Sequence, residues 1–224
     1  MAAGRFYPES VAGGFNRIDG TVAFYTRVNA LLKPTDIVLD LGAGRGSGLV
    51  EDPVPYRRQL RRLQGKCAKL IGADIDPAIL HHPALDEVKV IDEEGPFPFD
   101  DGSIDVIVAD FVLEHIRDDV AFASEIARVL APGGWFCART PNRYGYLAWA
   151  TRLIPNRFHT GLLRRAQPDR KDEDVFPKYY RMNTRRRIRR TFAECGLDAI
   201  VYAPPTPPSY FANKPTVAWF FAGY

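Results

Sequence analysis

Residues 36–48 read Asp36-Ile37-Val38-Leu39-Asp40-Leu41-Gly42-Ala43-Gly44-Arg45-Gly46-Ser47-Gly48. An apolar, β-branched run that stops at glycines spaced by two predicts a buried strand entering a tight turn, its backbone stripped of side chains where a ligand comes close. A glycine turn with no ligand is the competing reading of this segment alone. A dinucleotide fingerprint, G-x-G-x-x-G, fits neither register, because the sixth place falls on Ser47 counting from Gly42 and on Leu49 counting from Gly44. What stands here is Asp-x-Gly-x-Gly-x-Gly, with Asp40 two residues before the first glycine.

Working outward, the chain repeats one theme, a buried strand that ends in an acid. Lys69 to Ile75 is an apolar run closed by Asp74 and Asp76, the latter beside Pro77 and equally able to cap a following helix. Val88 to Ile91 ends at Asp92 and Glu93, and Ile104 to Ala109 ends at Asp110. Ionised groups are rarely buried without partners, and ligands of open α/β sheets sit at the carboxyl ends of the strands, so acids gathered there point to a ligand. In a nucleoside-binding α/β sheet the acid beside the glycine turn, here Asp74, accepts hydrogen bonds from the sugar hydroxyls, and an acid after the third strand is placed to take one from the base.

Between the strands, Phe24, Val28, Leu31 and Leu32 give a helix over residues 20–32, ended by Lys33-Pro34. Tyr56, Leu60 and Leu63 give a second, with Arg57, Arg58, Arg61 and Arg62 on its expected solvent face. A third begins at Asp118 or Asp119, carries Phe122, Ile126, Val129 and Leu130 inward, and stops at Pro132-Gly133-Gly134. A fourth runs from Thr184 to Cys195 with Ile188, Phe192 and Cys195 inward and five arginines outward. Leu197 to Ala203 is expected as a sixth strand and Thr216 to Tyr224 as a seventh, antiparallel one.

The chain has 224 residues, 46% hydrophobic and 25% charged, enough for one good core, and one domain spanning 1–224 is the expectation. Within it, residues 1–34 form a leader and helix that could fold over the ligand as a lid. Residues 142–183 form a Pro-, Arg- and aromatic-rich insertion expected to cover the acceptor. Neither a signal peptide nor an apolar stretch of about 18 residues is present, so a cytoplasmic location is expected. Cys67, Cys137 and Cys195 lack C-x-x-C spacing and His81-His82 lacks ligand partners, so neither a disulfide framework nor a metal site is read. Charge is uneven. Residues 1–138 hold 14 Lys/Arg against 21 Asp/Glu, and residues 139–224 hold 16 against 6. A basic half suits a solvated face, an anionic acceptor or peripheral contact with a membrane surface.

The glycine pattern, followed by the stretch at residues 110–142, DFVLEHIRDDVAFASEIARVLAPGGWFCARTPN, resembles the class I S-adenosylmethionine-dependent methyltransferases. The resemblance runs from about Ile37 to Asn142. It implies an α/β, Rossmann-like, mostly parallel seven-stranded sheet of order 3-2-1-4-5-7-6, flanked by helices, with an insertion after the fifth strand. It also implies S-adenosylmethionine as cofactor, with S-adenosylhomocysteine as product. Asp40, Gly42, Ala43, Gly44 and Gly46 would then hold the amino-acid part and ribose, Asp74 with Ile75 the ribose, Asp92 with Glu93 the adenine, and Asp110 the methionine portion or the acceptor. Tyr144, Tyr180 and Arg181 are the expected acceptor contacts. His115 and, second, His159 are the candidate bases for a hydroxyl acceptor.

Base methylation in nucleic acids usually goes with an Asp/Asn-Pro-Pro-aromatic turn, and Asp110-Phe111-Val112-Leu113 is not one. Nucleic acid is therefore disfavoured, and a small-molecule or glycan hydroxyl, with an anionic carrier, is the leading acceptor. The other class kept open is a non-catalytic methyltransferase-like module that binds S-adenosylmethionine or a partner.

Overall fold

The computed structural model describes residues 7–142 and 177–204. Five strands, β1 (Ile37–Leu41), β2 (Lys69–Asp74), β3 (Glu87–Val90), β4 (Ile104–Asp110) and β5 (Leu130–Arg139), form one sheet of order β3-β2-β1-β4-β5, with every neighbouring pair parallel. This reproduces the 3-2-1-4-5 part of the expected order. Residues 197–204 pair with no strand, against the expectation of a sixth. In the expected order that strand borders only the seventh, and the seventh, residues 216–224, lies outside the described residues.

Helix α1 (Gly20–Leu31) starts at Asp19, whose carboxylate accepts from the Thr21 and Val22 amides at 2.9 Å each. The turn after β1 becomes α2 (Ser47–Val50), a single turn, and is followed by α3 (Pro55–Arg61). Helix α4 (Asp119–Val129) is capped by Asp118, not Asp119, and α5 (Arg185–Glu194) by Thr184. Two cores lie on opposite faces of the sheet. Leu39, Leu41, Ile71, Ala73, Ile107 and Ala109 pack under α4 and α5 with Phe122, Ile126 and Phe192, whereas Val38, Leu70, Val106 and Val108 pack under α1 with Tyr25, Val28 and Leu63.

This alternation decides where the chemistry sits. Successive residues of a strand point to opposite faces, so Asp40 follows Val38, Asp74 follows Leu70 and Asp110 follows Val108 to the α1 face, at the carboxyl end of each strand. Three acids scattered over 71 positions of sequence thereby share one face and one edge.

The described part of the leader packs against the loop and helix that follow β1. Of residues 7–19, Tyr7 is buried under the Arg17 guanidinium, and Phe15 stacks on Tyr56 of α3 with ring centroids 5.3 Å apart. These residues buttress the insertion between β1 and β2. The arginines of α3 are not a solvated face either. Arg57, Arg58 and Arg61 converge on Asp52, and Arg57 reaches on to Asp19 at 3.0 Å, because α2 ends after one turn and leaves the Asp52 carboxylate facing α3. That ion-paired hub holds the Asp52 carboxyl below the usual range despite its burial.

Candidate functional site

At the carboxyl edge of β1 the chain turns through Gly42, Gly44 and Gly46, with φ of 73°, 53° and 73°. The three glycines are needed for different reasons. A Cβ on Gly42 would lie 2.4 Å from Val112 Cγ2, and one on Gly46 would lie 2.7 Å from the His82 ring and from Pro83, so both are enforced by protein packing as well as by φ. At Gly44 the nearest atom to such a Cβ is an Asp74 oxygen 3.9 Å away. There the missing side chain leaves open space, and that space lies beside a carboxylate.

Asp74 is locked to the turn. Its Oδ2 accepts from the Gly44 amide at 2.7 Å and its Oδ1 from the Asp76 amide at 2.9 Å, while the Gly42 amide donates to the Ala73 carbonyl at 2.7 Å. Each carboxylate oxygen keeps a further lone pair for a ligand. Burial pushes the Asp74 pKa up, opposed by the amides of Asp76 and Gly44. Asp76 caps the following 3-10 turn through the Ala78 amide, which leaves Asp74 as the acid of the glycine turn.

A cavity of about 210 Å³ opens along this edge, and Asp40, Gly42, Ala43, Gly46 and Asp110 line it. Asp40 is pushed up to about 7, first by burial and then by the charges of Asp110 and Asp74. Asp110 itself is in register opposite Arg139 on β5, which donates Nε to Oδ1 and an Nη to Oδ2 at 2.7 Å each. It is therefore half of an ion pair, not a free acceptor, and the Tyr25 hydroxyl lies 3.3 Å from the same Oδ2. Burial, followed by Asp110 and Asp40, raises the Tyr25 hydroxyl well above its ordinary pKa.

Tyr25, Arg61 and His82 also line the cavity, and none was read from sequence as a site residue. Tyr25 adjoins Phe24, which carries the helical period, and its burial beside Val28 shows the inward stripe turned by one residue. Arg61 belongs to the Asp52 hub and lies 5.7 Å from the centroid of the Tyr25 ring. His82 Nδ1 accepts from the Ala84 amide at 3.3 Å, and burial lowers its pKa, so the neutral ring holds its proton on Nε2.

The remaining expected residues are spread along the same edge. Ile75, 40% exposed, directly follows Asp74. Asp92 and Glu93 are exposed in the turn after β3, whose Ile91 amide donates to the Asp74 carbonyl at 2.9 Å, so they adjoin the glycine turn without lining the cavity. His115 Nδ1 lies 2.7 Å from the Pro177 carbonyl oxygen. Tyr180 has φ of 52° and donates its amide to the Glu114 carbonyl, and Arg181 is exposed. Tyr144 and His159 lie outside the described residues. The return from the insertion is tied down by a buried chain of polar groups, in which Asn183 Nδ2 donates to Thr140 Oγ1 at 2.6 Å and Thr140 Oγ1 donates to Glu114 Oε2 at 2.8 Å.

With the turn, the strand-end acids and the cavity in place, residues 39–138 match the family model described as a methyltransferase domain. That stretch, 100 of the chain's 224 residues, is similar to methyltransferase domains. A Mycolicibacterium smegmatis protein named as an S-adenosylmethionine-dependent methyltransferase is 34% identical over 135 residues, covering 58% of this chain and 47% of that protein. A demethylmenaquinone methyltransferase of Mycolicibacterium vanbaalenii is 36% identical over 110 residues, covering 49% of this chain and 43% of the relative. The chain thus spans under half the length of these relatives. Among solved structures, a Galdieria sulphuraria protein assigned as a sarcosine dimethylglycine methyltransferase superposes with a TM-score of 0.53 at 20% identity, covering 91% of this chain and 70% of that one. A Haloferax volcanii methyltransferase in complex with the Trm112 activator gives 0.51 at 20% identity, covering 88% and 77%. Both share the fold.

S-adenosylmethionine, the cofactor named for the similar Mycolicibacterium smegmatis protein, suits the residues present. S-adenosylmethionine carries a sulfonium and an ammonium cation, and the α1 face offers Asp40 and Asp74, with Asp110 already neutralised by Arg139. Bare backbone at Gly44 admits a nucleoside against the Asp74 carboxylate. No helix among the described residues is long and apolar enough to cross a membrane.

Proposed function

We propose that this chain transfers a methyl group from S-adenosylmethionine to a hydroxyl of an anionic small molecule or glycan. The observation that carries this is the junction of Gly44 and Asp74, amide nitrogen to carboxylate oxygen 2.7 Å, in a turn whose Gly42, Ala43 and Gly46 line a cavity together with Asp40 and Asp110. When bound, the cofactor supplies a methyl already activated by a sulfonium leaving group.

Under this reading the chain's own work is alignment and charge. Asp74 takes the ribose hydroxyls on its remaining lone pairs, Ile75 gives the adenine an apolar face, and Asp92 with Glu93 takes its amine. Asp40 sits against the cationic end of the cofactor and ionises to meet it. Holding the acceptor oxygen in line with the methyl, about 3 Å away and out of water, is worth roughly 7–11 kcal/mol of barrier. As the acceptor oxygen bonds to carbon, the carbon–sulfur bond breaks and the hydroxyl proton must leave. His115 is the proposed acceptor of that proton. A carbonyl oxygen only accepts, so the neutral His115 ring holds its proton on Nδ1 toward Pro177, and the basic lone pair is on Nε2.

The anionic character of the acceptor is inferred from the α5 end of the site. Asn183 is bonded to Thr140 and the Pro141 carbonyl just past β5, so the start of α5, with exposed Arg181, Arg185 and Arg186, lies at the carboxyl end of that strand, which this reading takes as the acceptor side. No acidic residue occupies the first turn of α5, so the arginines add to the positive end of the helix dipole.

The test is a screen of hydroxylated acceptors, phosphorylated and not, read by release of S-adenosylhomocysteine. Turnover restricted to phosphorylated or carboxylated members supports the proposal. Turnover confined to amines, or indifferent to acceptor charge, contradicts it.

A further inference from the structure

Phe111 is the first residue past Asp110, where β4 ends at the cavity. Its backbone has φ of 62°, and the only other non-glycine residue with positive φ among those described is Tyr180. A side chain in the left-handed region carries a conformational cost, tolerated where the surroundings hold the residue in place. The Phe111 amide donates to the Arg139 carbonyl at 2.8 Å, and the next residue, Val112, lies against Gly42. The ring is fixed as well. The Arg139 guanidinium lies 4.6 Å from its centroid and 5.4 Å from that of Phe24. That guanidinium is itself immobilised by two bonds to Asp110 and one to Thr21 Oγ1 at 3.1 Å.

This costly arrangement yields an aromatic ring that is 47% exposed, directly follows the cavity-lining Asp110 in the chain, and is held from behind by a cation. A core phenylalanine has no need of such backing, and an ordinary surface residue has no reason to sit on strained backbone. Rigid aromatic faces recognise flat ring faces, whether aromatic or the C–H face of a sugar. We propose that Phe111 is the platform on which the acceptor's ring stacks, with Arg139 as the residue that positions it. The acceptor is accordingly a hydroxylated ring compound, not an open-chain one. This rests on the methyl-transfer reading above and narrows its substrate class.

The test uses the full chain saturated with S-adenosylhomocysteine and three phosphate esters as probes, titrated by calorimetry. 4-Hydroxyphenyl phosphate has an aromatic ring, glucose 6-phosphate a sugar ring, and glycerol 3-phosphate none. At least one ring probe is expected to bind five- to tenfold more tightly than glycerol 3-phosphate, on the order of one aromatic contact, and whichever binds better identifies the kind of ring. Phe111→Leu should abolish that preference, while affinity for S-adenosylhomocysteine stays within about twofold of wild type. Phe111→Gly should also abolish it, yet melt no lower than wild type because the backbone strain is relieved. Equal binding of all three probes, binding of none, or a preference that survives Phe111→Leu overturns the proposal. Failure of the wild-type chain to bind S-adenosylhomocysteine removes the methyl-transfer reading and this inference with it.

Discussion

The two halves of the sheet edge are built by different means. On the β1–β2 side the site is centred on backbone, on glycines that bend and amides that point at Asp74. On the β4–β5 side it is made of side chains that hold one another, Arg139 on Asp110, Thr140 between Glu114 and Asn183, and His115 on Pro177. A ligand common to a whole family suits the first construction, since nothing in it can vary without breaking the turn. An acceptor that differs from member to member suits the second, because side chains can be exchanged while the frame stays.

That contrast predicts a separation of effects, largest on the backbone side. Gly44→Val places a branched side chain at φ of 53° in the space beside Asp74. Calorimetry should show S-adenosylmethionine affinity falling by about 100-fold or more, the 2.7 kcal/mol or so expected when a nucleoside is displaced from the Asp74 carboxylate. Affinity within threefold of wild type would mean that the two sides are not specialised as described. Asp74→Ala leaves the Gly44 and Asp76 amides without their acceptor, and should lower unfolding free energy by about 1–3 kcal/mol as well as weakening binding. Urea denaturation with and without cofactor checks both.

A pH titration sharpens the comparison further. Asp40 is raised to about 7 in the folded chain, against an ordinary value of 3.8, so the folded state without ligand holds a proton that the unfolded state has released. Between about pH 4 and 7 the Asp40 contribution to stability therefore falls as pH rises, and then levels off. Cofactor binding has the opposite slope, because a cation favours the ionised carboxylate. Affinity should rise about tenfold from pH 6 to pH 8 and be nearly flat in Asp40→Asn. If the wild-type profile is flat, Asp40 does not face the cationic end. The smallest effect belongs to the side-chain half. Arg185→Ala with Arg186→Ala removes exposed charges, and should leave the melting temperature and S-adenosylmethionine affinity unchanged while raising the KM of an anionic acceptor a few-fold.

The same division explains what was legible in the sequence. Strand-end acids and glycines are local signals, and period-two alternation carries Asp40, Asp74 and Asp110 to one face without any knowledge of the fold. Partnerships are not local. Nothing near Asp110 announces that Arg139, 29 residues on, will neutralise it, or that Asp52 will draw in three arginines whose helical spacing suits a solvated face. Tyr25, Arg61 and His82 went unread for the same reason, since each joins the cavity through a contact made by another segment. The sixth strand, too, depends on a neighbour, and a strand cannot be formed by one segment alone.

Calorimetric titration of the wild-type chain and of the double variant Gly44→Val with Asp74→Ala, using S-adenosylmethionine and, as a control, NAD, tests the central claim most directly. One equivalent of S-adenosylmethionine should bind the wild type, none should bind the variant, and NAD should bind neither. Undiminished S-adenosylmethionine binding by the double variant would contradict the account.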